Sequence, residues 1–321
     1  MDPADGAIAA LILIPVALIY PLARLRNARV RWWIGSVVCC VPLLLPLVRD
    51  PELVRRRWGM ALLGLLLWGR GLEYLRRRPS PASRHGGPGA YVVFMLLWPN
   101  TMVFSRFLLP LEAPRFRFFA TRVALGTGRI ALCAGLMAFG QHLRLHEVSF
   151  SLDHLFKLVE IYLLINGLSN LTVAVFSLTG RRPDEIFRNL LTTPTVLHFW
   201  TRYNLMVHYW MREHIFDRVM PAKGFAAAIF ATFVFSGLFH EYLFTAAGAG
   251  IPGTQLAFWL MQAPIGYLQW KARQRWPLSR PVWCIITLIL IYATTPLFFI
   301  GVDDVFRFHE GTWVLRVLTG G

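Results

Sequence analysis

The chain has 321 residues, of which 56% are hydrophobic and only 16% are charged, and its formal net charge is +16 at pH 7. Soluble domains carry roughly 25% charged residues, so this composition indicates an integral membrane protein. Nucleic-acid-binding proteins are also basic, but here the arginines lie in short loops between apolar runs, where membrane proteins meet lipid headgroups. We therefore exclude nucleic acid as a partner and expect membrane lipids instead. Lysine occurs at only three positions, and this preference for arginine favours a GC-rich bacterium and its inner membrane.

Apolar runs of membrane length divide the chain into eight or nine predicted transmembrane helices. A span needs about 20 apolar residues, with a range of about 17 to 25. Pro42 and Pro46 are predicted to kink the second span, and Asp153 is predicted to cap the sixth. The predicted spans cover residues 7–23, 32–48, 58–75, 90–109, 118–140, 153–178, 222–247, 254–270 and 282–301. The sequence therefore predicts an all-α polytopic membrane protein.

Residues 181–220 do not read as a simple span, because arginines alternate there with Phe, Trp and Tyr. This composition is typical of a helix at the membrane interface or inside a helical bundle. We expect a helix over residues 198–216, with Trp200 and His208 on the side of Asn204. A buried amide needs partners for its donors and its acceptor. Asn204 is therefore expected either to form an interhelical hydrogen bond or to bind a carbonyl oxygen, and its spacing favours the first.

His240 is a titratable residue within the apolar run 222–247. Hydrocarbon does not solvate its charged form, so such a residue is a candidate for function. Residues three and four apart share a helix face, and the face of His240 contains Phe233, Ser236, Gly237 and Phe244. Two aromatic rings then bound a space beside the imidazole, which suits a general base that faces an apolar cavity. The alternative, a histidine bonded to a neighbouring helix for packing, stays open.

Histidines elsewhere do not form a convincing metal site. His240 and Glu241 begin the HExxH pattern of zinc proteases, but Phe244 occupies the position of the second histidine. His142 and His146 are spaced like one box of a membrane di-iron enzyme, and one box supplies too few ligands. His198, His208 and His214 lie close together in the sequence without a further ligand pattern. We predict no metal and no cofactor.

Two segments resemble the wax synthase branch of the membrane-bound O-acyltransferase family. Residues 189–220 read NLLTTPTVLHFWTRYNLMVHYWMREHIFDRVM, and residues 233–244 read FVFSGLFHEYLF. The resemblance implies a multi-helix fold that encloses a tunnel, in one acyltransferase domain over residues 1–321. Within it, residues 1–180 hold N-terminal spans, 181–250 the catalytic region and 251–321 C-terminal spans. The chain departs from the family pattern at Tyr203, where tryptophan is frequent, and at Asp217-Arg218, where Asp-Pro is typical.

The resemblance implies transfer of an acyl group from a thioester, usually acyl-CoA, to the hydroxyl of a lipid-like alcohol. The family histidine falls on His240, the expected general base, and its upstream polar residue falls on Asn204, a candidate donor to the oxyanion. Arg202 and Arg212 are candidate partners for the CoA phosphates. The residues expected to contact substrate are Trp200, His208, Phe233, Ser236, Gly237 and Phe244.

A transporter or channel that uses His240 as a proton relay is the alternative from another functional class. Relays usually need several ionisable groups in register across the bilayer. Glu73 and Glu160 are the main carboxylates of the predicted spans, and each is expected near the end of its span. The sequence therefore favours the enzyme.

Overall fold

The computed structural model describes residues 3–50, 52–77, 87–97, 108–110, 115–178, 180–183 and 186–310, and helices dominate these ranges. The α-helices are α1 (Pro3–Leu22), α2 (Ala28–Cys40), α3 (Val54–Arg77), α4 (Pro88–Val92), α5 (Arg115–His142), α6 (Leu145–Val148), α7 (Phe150–Ser177), α8 (Val196–Arg202), α9 (Leu205–Met211), α10 (Asp217–Ala247), α11 (Thr254–Arg275), α12 (Arg280–Thr294) and α13 (Pro296–Phe306). Short 3-10 helices span Val41–Val48 and Leu190–Thr192, and π-helices span Val93–Leu97 and Arg212–Phe216. Strands β1 (Leu108–Pro110) and β2 (Arg181–Pro183) pair antiparallel. The predicted helical fold class is confirmed, with this one small ladder added.

Five helical segments of the described ranges are long and apolar enough to cross a membrane, and the bent pair α12–α13 would make a sixth. The five are Ala4–Leu22, Ala28–Val48, Arg115–His142, Phe150–Ser177 and Leu205–Ala247. The predicted spans at 58–75 and 254–270 are helices, α3 and α11, but buried polar side chains lower their hydropathy. Much of the predicted span 90–109 lies outside the described residues. The structure thus supports an integral membrane protein, and the count of eight or nine spans stays a prediction.

Two compact units make up the chain, and their boundaries cut through α10. One contains Met1–Ser105 and Leu238–Pro252, and the other contains Arg106–Gly237 and Gly253–Gly321. The core of the first unit holds Ile19, Cys39, Leu67 and Tyr74, which come from α1, α2 and α3.

Prolines coincide with a change of helix type in the second helix of the first unit, where a kink was predicted. The α-helix ends at Cys40, and the chain continues as a 3-10 helix through Pro42 and Pro46. In a 3-10 helix the carbonyl of Leu43 would pair with the amide of residue 46, and proline has no N–H to donate. The hydroxyl of Tyr242 donates to the Leu43 carbonyl instead, at 2.5 Å. A proline in the second helix thereby provides an anchor for the stretch that carries His240.

In the second unit, α5 and α7 approach closely through facing glycines. A Cβ on Gly126 would lie 2.9 Å from the carbonyl oxygen of Gly167, and a Cβ on Gly167 would lie 3.0 Å from that of Gly126. Small residues are enriched where membrane helices pack, because they let backbones come together. Beside this contact, Arg122 donates to the amide oxygen of Asn170 at 2.9 Å.

The start of α7 differs from the prediction. Asp153 was predicted as the N-cap, but the helix begins at Phe150 and the Ser149 hydroxyl accepts from the amide of Leu152 at 3.4 Å. The carboxylate of Asp153 is instead buried in an ion-pair cluster, at 2.6 Å from Lys157 Nζ and 2.6 Å from His309 Nδ1. A cap prediction from sequence weighs only local pairing, whereas the partner of Asp153 comes from the far end of the chain.

His309 joins two carboxylates of α7. Its Nε2 lies 2.9 Å from Glu160, and its side chain is fully buried. Gly140 of α5 leaves the room for the ring, since a Cβ there would overlap the imidazole. Glu160 was expected near a span end, but it lies well inside α7 and is 0% exposed. This cluster holds the segment after α13 against α7.

We expect His309→Gln to lower the free energy of unfolding by about 3–5 kcal/mol, because it leaves the buried Glu160 carboxylate without its cationic partner, whereas Asp153 keeps Lys157. Burial disfavours the charged ring, but hydrogen bonds to Asp153 and Glu160 raise the pKa of His309 to about 9. The folded pKa exceeds the unfolded value near 6.5, so this stabilisation is complete below about pH 6.5 and is lost as the pH rises through about 9. Thermal unfolding in detergent from pH 6 to 10 tests this. A wild-type melting temperature that falls no more over this window than that of His309→Gln would contradict it.

Candidate functional site

The predicted helix over residues 198–216 is wrong, because the chain breaks at Asn204. Two short helices, α8 and α9, meet there, and Asn204 has a left-handed backbone with φ 47° and ψ 67°. Asparagine enters this region more readily than most residues with a side chain. The helical path resumes in α9, passes through the π-helix Arg212–Phe216 and continues into α10.

The backbone groups exposed by this break are paired with a preceding strap, residues 186–188. The amide of Arg188 donates to the carbonyl of Arg202 at 3.1 Å, and the amide of Leu205 donates to the carbonyl of Ile186 at 3.0 Å. Buried backbone groups need such partners when a helix stops. These hydrogen bonds stabilise the break and so fix the position of the Asn204 side chain.

The two polar atoms of the Asn204 side chain, Oδ1 and Nδ2, differ in their hydrogen bonding. Its Oδ1 caps α9 by accepting from the amide of Val207, at 3.4 Å. Its Nδ2 makes no hydrogen bond to any of the residues that the structure describes. The capping bond orients the amide group and leaves its N–H donors for another acceptor, which is the property expected of an oxyanion donor.

Trp200 lies in an aromatic cluster built by α8, α10 and α11. Its ring centroid lies 4.5 Å from that of Trp259 and 6.5 Å from that of Phe233, and it contacts Tyr203 edge to face at 5.2 Å. Two predicted contact residues, Trp200 and Phe233, are thus brought together. His208 lies on α9, with its ring 5.7 Å from that of Tyr209.

Gly237 and Ser236 are both buried in α10. A Cβ on Gly237 would meet the Leu256 side chain at 2.7 Å and the Trp259 Cβ at 3.2 Å. The space beside this glycine is therefore filled by α11. Glycine at this position allows the close packing of α10 on α11.

His240 and Phe244 belong to the other compact unit, in the last two turns of α10. Gly224, with φ 81° and ψ 175°, interrupts the helix upstream, so the helix that carries His240 begins close to the predicted residue 222. His240 is half-buried, and its ring lies 5.9 Å from that of Phe239. Phe244 is buried, with its ring 6.4 Å from that of Trp58. Glu241 accepts a hydrogen bond from Thr245 at 2.9 Å.

Cationic side chains surround His198 at the ends of α8 and α11. Burial lowers the pKa of His198, and the positive charges of Arg273 and Arg202 lower it further. The ring is therefore neutral at pH 7, and its Nδ1 lies 2.8 Å from the Thr195 hydroxyl. Arg202, one predicted phosphate ligand, is thus part of a positive surface. Arg212, the other, is largely exposed and lies 3.7 Å from Asp217.

Sequence reasoning missed three glutamines of α11. Gln255, Gln262 and Gln269 are buried, and Gln262 accepts a hydrogen bond from the Trp200 indole at 3.1 Å. Their seven-residue spacing within an apolar run was the available signal, since such a spacing places three amides on one helix face.

Comparison with known proteins identifies the family of this chain. The model of MBOAT, the membrane-bound O-acyltransferase family, matches residues 73–298. The chain belongs to this family. The match covers the break at Asn204, the aromatic cluster and His240, so the family likeness extends over both segments singled out in the sequence. The chain is similar to diacylglycerol O-acyltransferase 1 of Bos taurus, with 28% identity over 123 residues. Those residues are 36% of this chain and 23% of the relative, so less than a quarter of the relative's length is matched.

Proposed function

We propose that the protein transfers an acyl group from acyl-CoA to the hydroxyl of a lipid alcohol, in the manner of the wax synthase branch. The observation that carries this proposal is the family match over residues 73–298, which contains both Asn204 and His240. The relative named above acts on diacylglycerol by its name, and its acceptor is a lipid with a free hydroxyl as well. The proposed location is the inner membrane of a bacterium.

The chemistry needs a base and an oxyanion donor. An alcohol is a poor nucleophile at neutral pH, and a neutral imidazole within hydrogen-bond reach accelerates its attack by about 10²–10⁴-fold. His240 takes the hydroxyl proton as the oxygen attacks the thioester carbonyl. The Nδ2 of Asn204 stabilises the resulting oxyanion. The intermediate collapses to the ester, the C–S bond breaks, and the proton passes from His240 to the CoA thiolate. This direct transfer needs no acyl-enzyme, metal or prosthetic group.

The donor and acceptor call for different entrances. CoA phosphates are charged and stay at an aqueous face, whereas the acyl chain and a lipid alcohol partition into the bilayer. The positive surface formed by Arg202 and Arg273 beside His198 suits the CoA phosphates. Lys271 lies on the same helix end, 5.7 Å from the Tyr267 ring centroid, and adds to this charge.

We expect Arg202→Glu to raise the apparent KM for acyl-CoA by about tenfold and to leave kcat within about twofold, because binding lost equally in ground and transition states raises KM alone. The KM for the alcohol is expected to stay the same. Steady-state kinetics with each substrate varied in turn measure all three values.

Arg212→Glu is the matched control for this charge reversal. Both arginines are predicted from the sequence to bind the CoA phosphates, but Arg212 lies beside Asp217 and is largely exposed. We expect a smaller increase in the KM for acyl-CoA. If Arg202→Glu leaves the donor KM unchanged, the CoA entrance lies away from this surface, and the arginine cluster at 76–84 becomes the candidate.

An assay in detergent tests the proposed function against transport. Purified protein is incubated with radiolabelled acyl-CoA and, in separate reactions, a long-chain alcohol, a sterol, a terpenoid alcohol and diacylglycerol. Transport needs a sealed compartment, whereas ester formation does not, so we expect labelled ester in micelles. Proton flux in sealed vesicles together with no ester from any acceptor would favour the proton-relay alternative.

A further inference from the structure

The three buried glutamines of α11 form a polar ladder in an apolar helix. Gln255, Gln262 and Gln269 are 1%, 1% and 6% exposed, and each lies two helical turns from the next. On α12, Thr287 and Thr294 repeat the same seven-residue spacing. Gln269 Nε2 donates to Thr287 Oγ1, and Gln262 Nε2 donates to Thr294 Oγ1, both at 2.9 Å.

The threonine hydroxyls decide which way these amides point. Thr294 Oγ1 donates its hydrogen to the carbonyl of Leu290, at 3.0 Å, and Thr287 Oγ1 donates to that of Trp283, at 2.9 Å. A hydroxyl has one hydrogen, so each threonine oxygen can only accept from the glutamine. The NH₂ of each amide therefore faces α12, and the carbonyl oxygen faces the other way.

The two oriented carbonyl oxygens hold α8. Gln269 Oε1 accepts from the backbone amide of Val196 at 2.7 Å, and Gln262 Oε1 accepts from Trp200 Nε1 at 3.1 Å. Gly266 lies between the two glutamines and lets α8 approach, since a Cβ there would lie 2.8 Å from the Leu197 side chain. The third rung differs, because Gln255 Nε2 donates to the carbonyl of Phe298 in α13, at 2.7 Å.

We propose that Thr294 is a positioning residue, which fixes the Gln262 amide and through it the indole of Trp200. Trp200 packs on Tyr203, and Tyr203 immediately precedes Asn204. The hydrogen bonds from Thr294 to Gln262 and from Gln262 to Trp200 thus fix the position of Trp200 in the aromatic cluster, and Trp200 in turn packs on the residue that precedes Asn204. The catalytic consequence of this relay rests on the proposed function.

The test is a double-mutant cycle between two residues that act through a third. Thr294→Val removes the acceptor with little change in shape, and Trp200→Phe removes the indole N–H and keeps a ring. We expect each to lower kcat by about tenfold, with the KM for acyl-CoA changed by less than about twofold. The kcat of the double variant is expected to fall by about tenfold rather than about a hundredfold. Once one substitution has broken the chain of hydrogen bonds, the other has little further effect. Thr294→Ser, which keeps the hydroxyl, should restore kcat to within about twofold.

Gln255→Met is the matched control, since it removes a buried glutamine of the same ladder that does not bond α8. It should lower the melting temperature and leave kcat within about twofold of wild type. Losses that multiply in the Thr294→Val/Trp200→Phe variant, or an equal loss of kcat in Gln255→Met, would overturn the relay.

The same cycle measured by thermal unfolding in detergent needs no substrate. We expect the double variant to lower the melting temperature by less than the sum of the two single decreases. Decreases that add would contradict the coupling of Thr294 to Trp200, whatever the enzyme assay shows. A wild-type protein that forms no ester would instead contradict the proposed function, and with it the catalytic part of this inference.

Discussion

Replacement of His240 by alanine is expected to lower kcat/KM for ester formation by at least about a hundredfold, because a general base contributes about 10²–10⁴-fold. The melting temperature should change little, since His240 is only half-buried. Initial rates with labelled acyl-CoA, measured on protein that passes the same size-exclusion and thermal-unfolding checks as wild type, give the result.

Tyr242→Phe is the control for this substitution. Tyr242 lies two residues away in the same stretch and anchors it to the Leu43 carbonyl. Its loss should lower the melting temperature and leave kcat within about tenfold, so a structural effect on this stretch is separated from a chemical one. Activity of His240→Ala within tenfold of wild type would remove His240 from the chemistry.

Asn204→Asp is expected to lower kcat by about 10²–10³-fold, the usual loss when one oxyanion donor is removed. Aspartate retains the oxygen that caps α9 and tolerates the left-handed backbone. It has no N–H₂ group, and its charge opposes a developing oxyanion. The fold is therefore preserved while the donor is lost, and single-turnover rates at saturating acyl-CoA measure the effect.

Asn204→Gly and Asn204→Ala separate the remaining roles. Glycine keeps the left-handed backbone but loses both cap and donor, whereas alanine also strains the backbone. Both should be as slow as Asn204→Asp, and Asn204→Ala should have the lowest melting temperature. An Asn204→Asp protein with nearly full activity would show that Asn204 only shapes the chain.

Much of the fold followed from hydropathy. Only α-helices and closed β-barrels pair every backbone group in a membrane, and apolar runs such as 118–140 and 153–178 have the length of a helix rather than of a barrel strand. The helices α5 and α7 were anticipated in this way. The position of the Asn204 break was not, because it depends on the strap at 186–188, which pairs the backbone across the break. The sequence of residues 198–216 by itself favoured an unbroken helix.

Long-range polar pairing accounts for the other differences. Asp153 was predicted as a cap because Asp is common at helix starts, but its partner His309 is distant in sequence. The role of Gly237 also depends on a neighbour, since the space it leaves is filled by Leu256 of α11. Periodicity places such residues on a face and does not specify what packs against that face.

The most direct test of the central claim is the stoichiometry of a single reaction. Purified wild-type protein in detergent is given labelled acyl-CoA and an excess of lipid alcohol, and free thiol, labelled ester, labelled fatty acid and protein-bound label are counted together. We predict one thiol released for each ester formed, no label on the protein, and neither product above background in His240→Ala. Thiol release with fatty acid in place of ester, label retained on the protein, or equal ester formation by His240→Ala would contradict direct acyl transfer through His240.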